Sequence, residues 1–194
     1  MRVDVERASR SDGFFPMKSL DFQQDFFQLF ELSPCFAIDN AALDQRYRDL
    51  QSQVHPDKFS HLSESEQRLS MQWSTRINEG YQTLRSPLAR GRYLLSLQGV
   101  DTQEETNTAM PLDFLMQQME RREALQDALE AKDIDALDRL SDTTRQDTRD
   151  LVRQLGVQLD DTQDHLAAAG TVRKLRFLEK LAEEISSAYD ELDS

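Results

Sequence analysis

The side chains best suited to chemistry in this sequence lie in one short stretch, His55-Pro56-Asp57-Lys58. An imidazole and a carboxylate two residues apart could act as an acid–base pair, or could serve as polar contacts to a partner. A third interpretation is structural, since Pro56 ends a helix and Asp57 caps the segment after it. No glycine-rich phosphate loop, nucleophile motif or metal-ligand cluster accompanies them, so the sequence predicts no catalytic residues and no enzyme.

Metal and cofactor chemistry has little support in the composition. Cys35 is the only cysteine, and the three histidines (His55, His61 and His165) form no recognisable ligand set. We therefore expect no metal, no cofactor and no intramolecular disulfide, and the role of Cys35 stays open.

Targeting signals are also missing from the pattern. No apolar run reaches the roughly 20 residues needed to span a bilayer. Residues 1–16 lack the apolar core of a secretory signal, and we expect them to be a disordered extension. The sequence predicts a cytoplasmic protein with no membrane partner.

Acidic residues are concentrated in the second half of the chain. The net charge is −13, and residues 98–194 carry 23 acidic and 11 basic side chains. Such a surface repels phosphate backbones, so we expect no nucleic-acid partner. The charge suits a protein partner, or serves solubility alone.

Two helices are predicted to hold the His55–Lys58 stretch between them, because helical spacing recurs along the chain while strand alternation does not. Asp39 is placed to cap a helix over residues 40–54, and a helix over about 64–85 follows the stretch. Shorter helices over residues 22–30 and 87–97 flank this hairpin. The apolar faces of the first three helices are Phe22, Phe26, Leu29 and Phe30; Leu43, Tyr47, Leu50 and Val54; and Leu69, Trp73, Ile77, Tyr81 and Leu84.

A polar, threonine-rich stretch over residues 100–111 divides the chain. We expect it to link an N-terminal domain, residues 17–99, to a C-terminal domain, residues 112–194. The latter contains three longer helical segments whose lengths and short connections suit an antiparallel three-helix bundle. The predicted fold class is therefore all-α. The three segments cover about residues 112–132, 134–155 and 163–192.

The first of these segments is apolar on two opposite sides. One side runs the whole helix, so we assign it to the core. The other is apolar for two turns and then acidic; it suits an adaptable partner surface, and packing against the linker or the N-terminal domain is an equal alternative. The core side is Phe114, Gln118, Arg121, Leu125, Ala128 and Leu129, and the opposite side is Leu112, Leu115, Met116, Met119 and Glu123, with Glu120 close by.

The last helix carries one core stripe with an aromatic residue at its edge. Phe177 lies beside Arg173, Arg176 and Lys180 and is either a boundary residue or a partner contact. The predicted core stripe is Leu175, Leu178, Leu181, Ala182, Ile185, Tyr189 and Leu192.

Several motifs around the tripeptide are similar to those of known co-chaperones. An aromatic helix, the sequence Tyr47-Arg48-Asp49-Leu50, His55-Pro56-Asp57 and the run from Ile77 to Leu84 follow in order, and residues 21–97 thereby resemble the J-domain of DnaJ-type co-chaperones. Three further segments resemble the HscB family of iron–sulfur cluster assembly and extend the similarity to about residue 192. These segments are Tyr93–Leu97, Phe114–Met116 and Thr171–Leu178.

The resemblance implies a chaperone partner. In the J family the His-Pro-Asp loop docks on the ATPase domain of a DnaK-type chaperone and speeds ATP hydrolysis. Asp44 and Asp49 dilute the positive charge of the preceding helix, which favours the dedicated partner HscA over a general DnaK. The residues expected to contact the chaperone are His55, Pro56, Asp57, Lys58, Arg46 and Arg48.

The resemblance also implies a client. The matching positions of the HscB family bind the scaffold protein IscU, so the expected function is to deliver IscU to HscA and assist iron–sulfur cluster assembly and transfer. A J-domain co-chaperone for another client is the alternative. The residues expected to bind the scaffold are Leu115, Met116, Met119, Glu120, Glu123 and Phe177.

Overall fold

The computed structural model describes residues 21–54, 63–104 and 110–192, and the regular secondary structure within them is helical throughout. The predicted all-α class is confirmed. None of the helices in these ranges combines the length and the apolar character needed to cross a membrane. In chain order they are α1 (Phe26–Leu29), α2 (Asn40–Val54), α3 (Glu64–Arg85), α4 (Pro87–Leu97), α5 (Leu112–Ala131), α6 (Ile134–Gly156), a π-helical turn (Val157–Asp161) and α7 (His165–Leu192).

The helix starts follow from local hydrogen bonds. The Asp39 carboxylate accepts a backbone N–H at 2.8 Å and caps α2, as predicted. At the start of α3, the backbone N–H of Ser63 donates to the Glu66 carboxylate at 3.0 Å, and the Glu66 N–H donates to the Ser63 hydroxyl at 3.4 Å. This reciprocal pair fixes the point where the chain becomes helical again. Ser86 caps α4, and Pro87 occupies its first turn.

The chain forms two compact units. The N-terminal unit consists of the described residues of Met1–Ser33 and Asp39–Gln82, and the C-terminal unit of those of Pro34–Ile38 and Thr83–Ser194. This division does not coincide with the predicted boundary at residues 99–100. The reason is that α4 packs against α6 and α7 and so belongs to the C-terminal unit.

Helices α2 and α3 form an antiparallel hairpin within the N-terminal unit. The Tyr81 hydroxyl donates to the Asp44 carboxylate at 3.0 Å near one end. At the other end the buried Ser70 hydroxyl donates to the Val54 carbonyl at 2.6 Å. The last turn of α2 and the first turns of α3 are thereby fixed beside each other. The buried apolar residues of this unit include Phe26, Phe27, Leu29, Phe30, Leu43, Val54, Trp73 and Ile77.

Two residues predicted to lie on the apolar faces of these helices, Phe22 and Leu69, are exposed instead. Phe22 precedes α1, because the Asp25 side chain caps the helix and starts it only at Phe26. Its ring is 42% exposed and stacks on Trp73 with 3.9 Å between ring centroids. Leu69 is also exposed, because its neighbour Ser70 is the residue that faces α2.

Helices α5, α6 and α7 form the predicted bundle in the C-terminal unit. Arg121 on α5 pairs with Asp147 on α6, and the Tyr189 hydroxyl on α7 donates to Asp138 on α6 at 2.6 Å. Because consecutive helices of this bundle are joined by short connections, these pairs show that α6 runs antiparallel to α5 and to α7. The predicted core side of α5 is confirmed, with Arg121 at its polar edge. Its buried members are Phe114, Gln118, Leu125 and Ala128.

The core stripe of α7 is confirmed except at one residue. Leu175, Leu178, Leu181 and Ile185 are buried. Ala182 is exposed, because the stripe passes through Leu181 and Ile185 and leaves the residue after Leu181 rotated toward solvent. The pattern missed several small residues that also pack inside. They are Ala168, Ala169, Thr171, Val172 and Ala188.

Replacing Gly80 by Ala should lower the free energy of unfolding by about 1 kcal/mol, because the cost of overpacking exceeds the gain in helix propensity. A Cβ atom at Gly80 would lie 2.8 Å from Phe26 and 2.9 Å from Phe30 ring atoms. The matched control is Gly170→Ala on α7, where the nearest atom would be the Arg173 guanidinium at 3.8 Å. That control should be neutral or stabilising. Urea unfolding followed by circular dichroism measures both, and equal effects of the two changes would contradict the packing around Gly80.

Candidate functional site

The predicted chaperone-contact stretch falls between α2 and α3. His55, Pro56, Asp57 and Lys58 lie outside the described residues. The structure does describe the two helix ends on either side, which the Ser70 hydrogen bond to the Val54 carbonyl holds together.

Both arginines predicted to assist this stretch are exposed on α2. Arg46 forms an ion pair with Glu31, and its side chain stays 46% exposed. The Arg48 guanidinium donates to the Gln45 side chain at 2.8 Å. Because Glu31 offsets one of the two positive charges, the positive potential along α2 is modest. The acidic residues Asp44 and Asp49 on the same helix predict the same from the sequence.

The second apolar side of α5 is exposed to solvent. Met116 is 53% exposed and Met119 is 71% exposed, while Leu115 is half-buried. Leu112, on the same side and one turn earlier, is 72% exposed and extends the apolar side beyond the predicted binding residues. We call the six predicted residues the α5–α7 surface: Leu115, Met116, Met119, Glu120, Glu123 and Phe177.

Phe177 joins this surface to the core of the C-terminal unit. Its ring meets the buried Phe114 ring edge-on, with 6.0 Å between centroids and 80° between planes. The Lys174 ammonium lies 5.6 Å from the Phe114 ring centroid. Because Phe177 is half-buried rather than fully exposed, one part of its ring supports the bundle while the rest is accessible.

The basic residues beside Phe177 are mostly engaged within the unit. Arg176 pairs with Glu179 at 2.5 Å, and Arg122 on α5 pairs with Glu184 on α7 at 3.3 Å. Such exposed ion pairs contribute little to stability. Of the two pairs, only Arg122–Glu184 joins α5 to α7, whereas Arg176–Glu179 lies within α7.

A polar network that the sequence did not reveal anchors the residues before α5. The Arg173 guanidinium donates to the Thr102 carbonyl at 2.9 Å. Arg92 on α4 donates twice to Glu104, at 2.6 and 2.5 Å, and the Thr102 hydroxyl donates to the same carboxylate at 2.7 Å. Spacing could not have found this network, because its members come from three separate segments.

Glu104 is the acid of this network, and its side chain is only 10% exposed. Burial alone raises the pKa of Glu104, but the hydrogen bonds from Arg92 and Thr102 outweigh it, so the pKa lies below its ordinary value. The carboxylate is therefore charged at neutral pH and holds residues 102–104 against α4, while Arg173 ties Thr102 to α7.

Within the described part of the chain, no group of three or more His, Cys, Asp and Glu residues is arranged to hold a metal ion. The exposed surfaces of the described residues offer contacts for binding.

Comparison with known proteins identifies the family. A family model described as the HSCB C-terminal oligomerisation domain matches residues 110–186. A protein of Azoarcus sp. (strain BH72), named Co-chaperone protein HscB homolog, is 49% identical over 176 residues, which are 91% of this chain and 99% of the relative. The chain belongs to the HscB family of co-chaperones.

Solved HscB structures have the same fold. Chaperone HscB from Vibrio cholerae is 37% identical and superposes with a TM-score of 0.77, covering 87% of this chain and 99% of its own. Human co-chaperone protein HscB is 31% identical with a TM-score of 0.82, covering 93% and 92% of the two chains. The predicted membership of the HscB family and the all-helical fold are both confirmed.

Replacing Glu104 by Gln should lower the free energy of unfolding by about 1–3 kcal/mol at pH 7, since a charge-assisted network loses its charge. The folded-state pKa of Glu104 lies below the ordinary value of a glutamate side chain. Its contribution is therefore fully present above the unfolded pKa and is lost as the pH falls through the folded pKa.

The difference between wild type and Glu104→Gln should consequently shrink as the pH is lowered through that acid range. Urea unfolding at several pH values measures it, with Glu123→Gln at an exposed position as the control. A difference that stays constant with pH would contradict the charged network.

Proposed function

We propose that this HscB-family co-chaperone stimulates the ATPase of HscA through the His55–Lys58 stretch and delivers IscU held on its α5–α7 surface. The resulting cycle assists iron–sulfur cluster assembly and transfer. The observation that carries the proposal is the exposed methionine-bearing side of α5, which lies on the family's C-terminal domain and has no core role.

Physical reasons support the client half of the proposal. Met116 and Met119 are flexible, polarizable side chains that adapt to a partner surface. Phe177 adds a rigid aromatic contact that is already held by Phe114, so little conformational entropy is lost on binding. Glu120 and Glu123 are exposed at the edge of the apolar residues, where they favour a client with complementary basic groups.

The chaperone half depends on His55 and Asp57 as polar contacts. The hairpin fixes both helix ends on either side of them, which lowers the entropic cost of presenting a short stretch to a partner. Arg46 and Arg48 are exposed on α2 and supply attraction toward an acidic partner surface.

The double substitution of Met116 and Met119 by Ala tests the client surface. Binding to IscU should weaken by about 2–4 kcal/mol, since two apolar anchors are truncated. Stability should change little, because both side chains are mostly exposed. Calorimetric titration and thermal unfolding measure the two effects.

Leu166→Ala is the matched control for this change, since Leu166 is an apolar residue of α7 that is 84% exposed and lies outside the surface. It should leave IscU binding unaltered. If the double variant binds IscU as well as wild type does, the α5–α7 surface is not the client site. If the wild-type protein binds a different client and not IscU, the alternative function is supported.

Substitution of His55 by Gln, or of Asp57 by Asn, should abolish stimulation of the HscA ATPase while IscU binding persists. Stability should stay within about 0.5 kcal/mol of wild type, as for substitutions away from a core. His61→Gln and the exposed Asp49→Asn make the same chemical changes nearby and should retain stimulation. Loss of several kcal/mol in the His55 and Asp57 variants would show instead that the stretch has a structural role.

A further inference from the structure

An open groove of about 420 Å³ runs between α6 and α7 in the C-terminal unit. Small side chains make up much of both walls, and they leave room for another helix to approach closely. The described residues that line the groove are separate from the α5–α7 surface. The small wall residues are Ser141, Thr144 and Thr148 of α6 and Ala182 and Ser186 of α7.

The hydroxyl groups on the α6 wall are already satisfied within the helix. The Thr144 hydroxyl donates to the Leu140 carbonyl at 2.8 Å, and the Thr148 hydroxyl donates to the Thr144 carbonyl at 2.8 Å. A small polar ligand would find few hydroxyl donors on this wall. The groove therefore suits a packed protein surface better than a small anion.

One stripe of α6 at the rim of the groove carries four exposed charged residues. They are separated by four, three and four positions, so they lie on one side of the helix. Two acids come first and two arginines follow, which makes the stripe neutral on a chain whose net charge is −13. Here two copies of the chain can approach without repulsion. The four residues are Asp138, Asp142, Arg145 and Arg149.

This order of charges is complementary to itself when a second copy of α6 lies antiparallel. A two-fold axis between residues 143 and 144 places Asp142 opposite Arg145 of the second copy, and Asp138 opposite Arg149 of the second copy. A parallel arrangement in the same register would oppose like charges instead, which is unfavourable.

Forming these contacts would cost little within each chain. Arg145 pairs with Asp142 on its own helix at 3.4 Å, and both side chains are largely exposed. An exposed pair of this kind contributes little to stability. Its two members can therefore exchange partners with a second copy at low cost.

We propose that the α6–α7 groove is the interface of a symmetric dimer, in which α6 of one copy packs antiparallel to α6 of the other. The two α6–α7 pairs would then form a four-helix arrangement, with the α5–α7 surface free in each copy. The family model that matches residues 110–186 is described as an oligomerisation domain, and that description names no surface. The dimer does not depend on the chaperone or the client.

Reversing one charge of the central pair tests the interface. Arg145→Asp and Asp142→Arg each place like charges opposite one another, twice by symmetry, so each should raise the dimer Kd at least about tenfold. Sedimentation equilibrium measures this constant. Net charge alone predicts the opposite for Asp142→Arg, because that change makes the chain less acidic.

An equimolar mixture of the two variants provides the decisive measurement. In a mixed dimer each acid again faces an arginine, so the mixture should dimerise as wild type does. Arg68→Asp on α3 is the matched control, since Arg68 is also exposed and ion-paired on its own helix but lies in the N-terminal unit. It should leave the dimer Kd unchanged.

A monomeric wild-type chain at its highest soluble concentration would overturn the dimer. Variants that dimerise as wild type does would exclude this face, and a mixture that stays monomeric would overturn the antiparallel pairing. If a charge-reversed variant fails to fold by circular dichroism, Arg145→Gln and Asp142→Asn replace the reversals. Each should then raise the dimer Kd, and an unchanged Kd would overturn the interface.

Discussion

Helix α5 carries apolar side chains on two opposite sides, and a three-helix bundle can bury only one of them. Phe114, Leu125 and Ala128 take the buried side, and each large apolar side chain that leaves water stabilises the fold by about 1.5–3 kcal/mol. Met116 and Met119 consequently remain in water. The free energy that their burial would release is available to a partner, so the geometry of the core itself creates the proposed binding surface.

The rest of the C-terminal unit holds that surface in place. Phe177 packs its ring edge on Phe114, and the Glu104 network holds the residues that lead toward α5. The surroundings are acidic, consistent with the net charge of −13. An apolar patch on a strongly charged protein is protected against unspecific association by repulsion between like molecules. It stays open to a client whose charge is complementary.

Much of the fold could be predicted from the sequence, because its periodicity and caps are local. Asp39, the Ser63 region and Pro87 set helix boundaries that the structure reproduces. The sequence also indicates the exposed side of α5, because that helix has two apolar faces and a three-helix bundle can bury only one of them. The tripeptide was found from its sequence context alone and stays a prediction.

What the sequence could not predict depends on contacts between distant segments. Helix α4 has an ordinary apolar pattern, and nothing in it indicates that it packs against α6 and α7. The Asp160 carboxylate accepts the backbone N–H groups of Phe36 and Ala37. Nothing in the sequence distinguishes Asp160 from the other acidic residues, because its π-helical turn has no sequence signature and these partners lie more than 120 residues away. The sequence pattern places Ala182 in the core, whereas the structure exposes it, because alanine is compatible with either side of a helix.

The most direct test of the proposed function is the steady-state ATPase rate of an HscA-type chaperone, measured alone, with this protein, with IscU, and with both. We predict that this protein alone accelerates hydrolysis and that IscU and this protein together accelerate it more than the product of their separate effects. Acceleration that is indifferent to IscU would contradict delivery of that client. A rate unchanged by this protein under every condition would contradict the central claim.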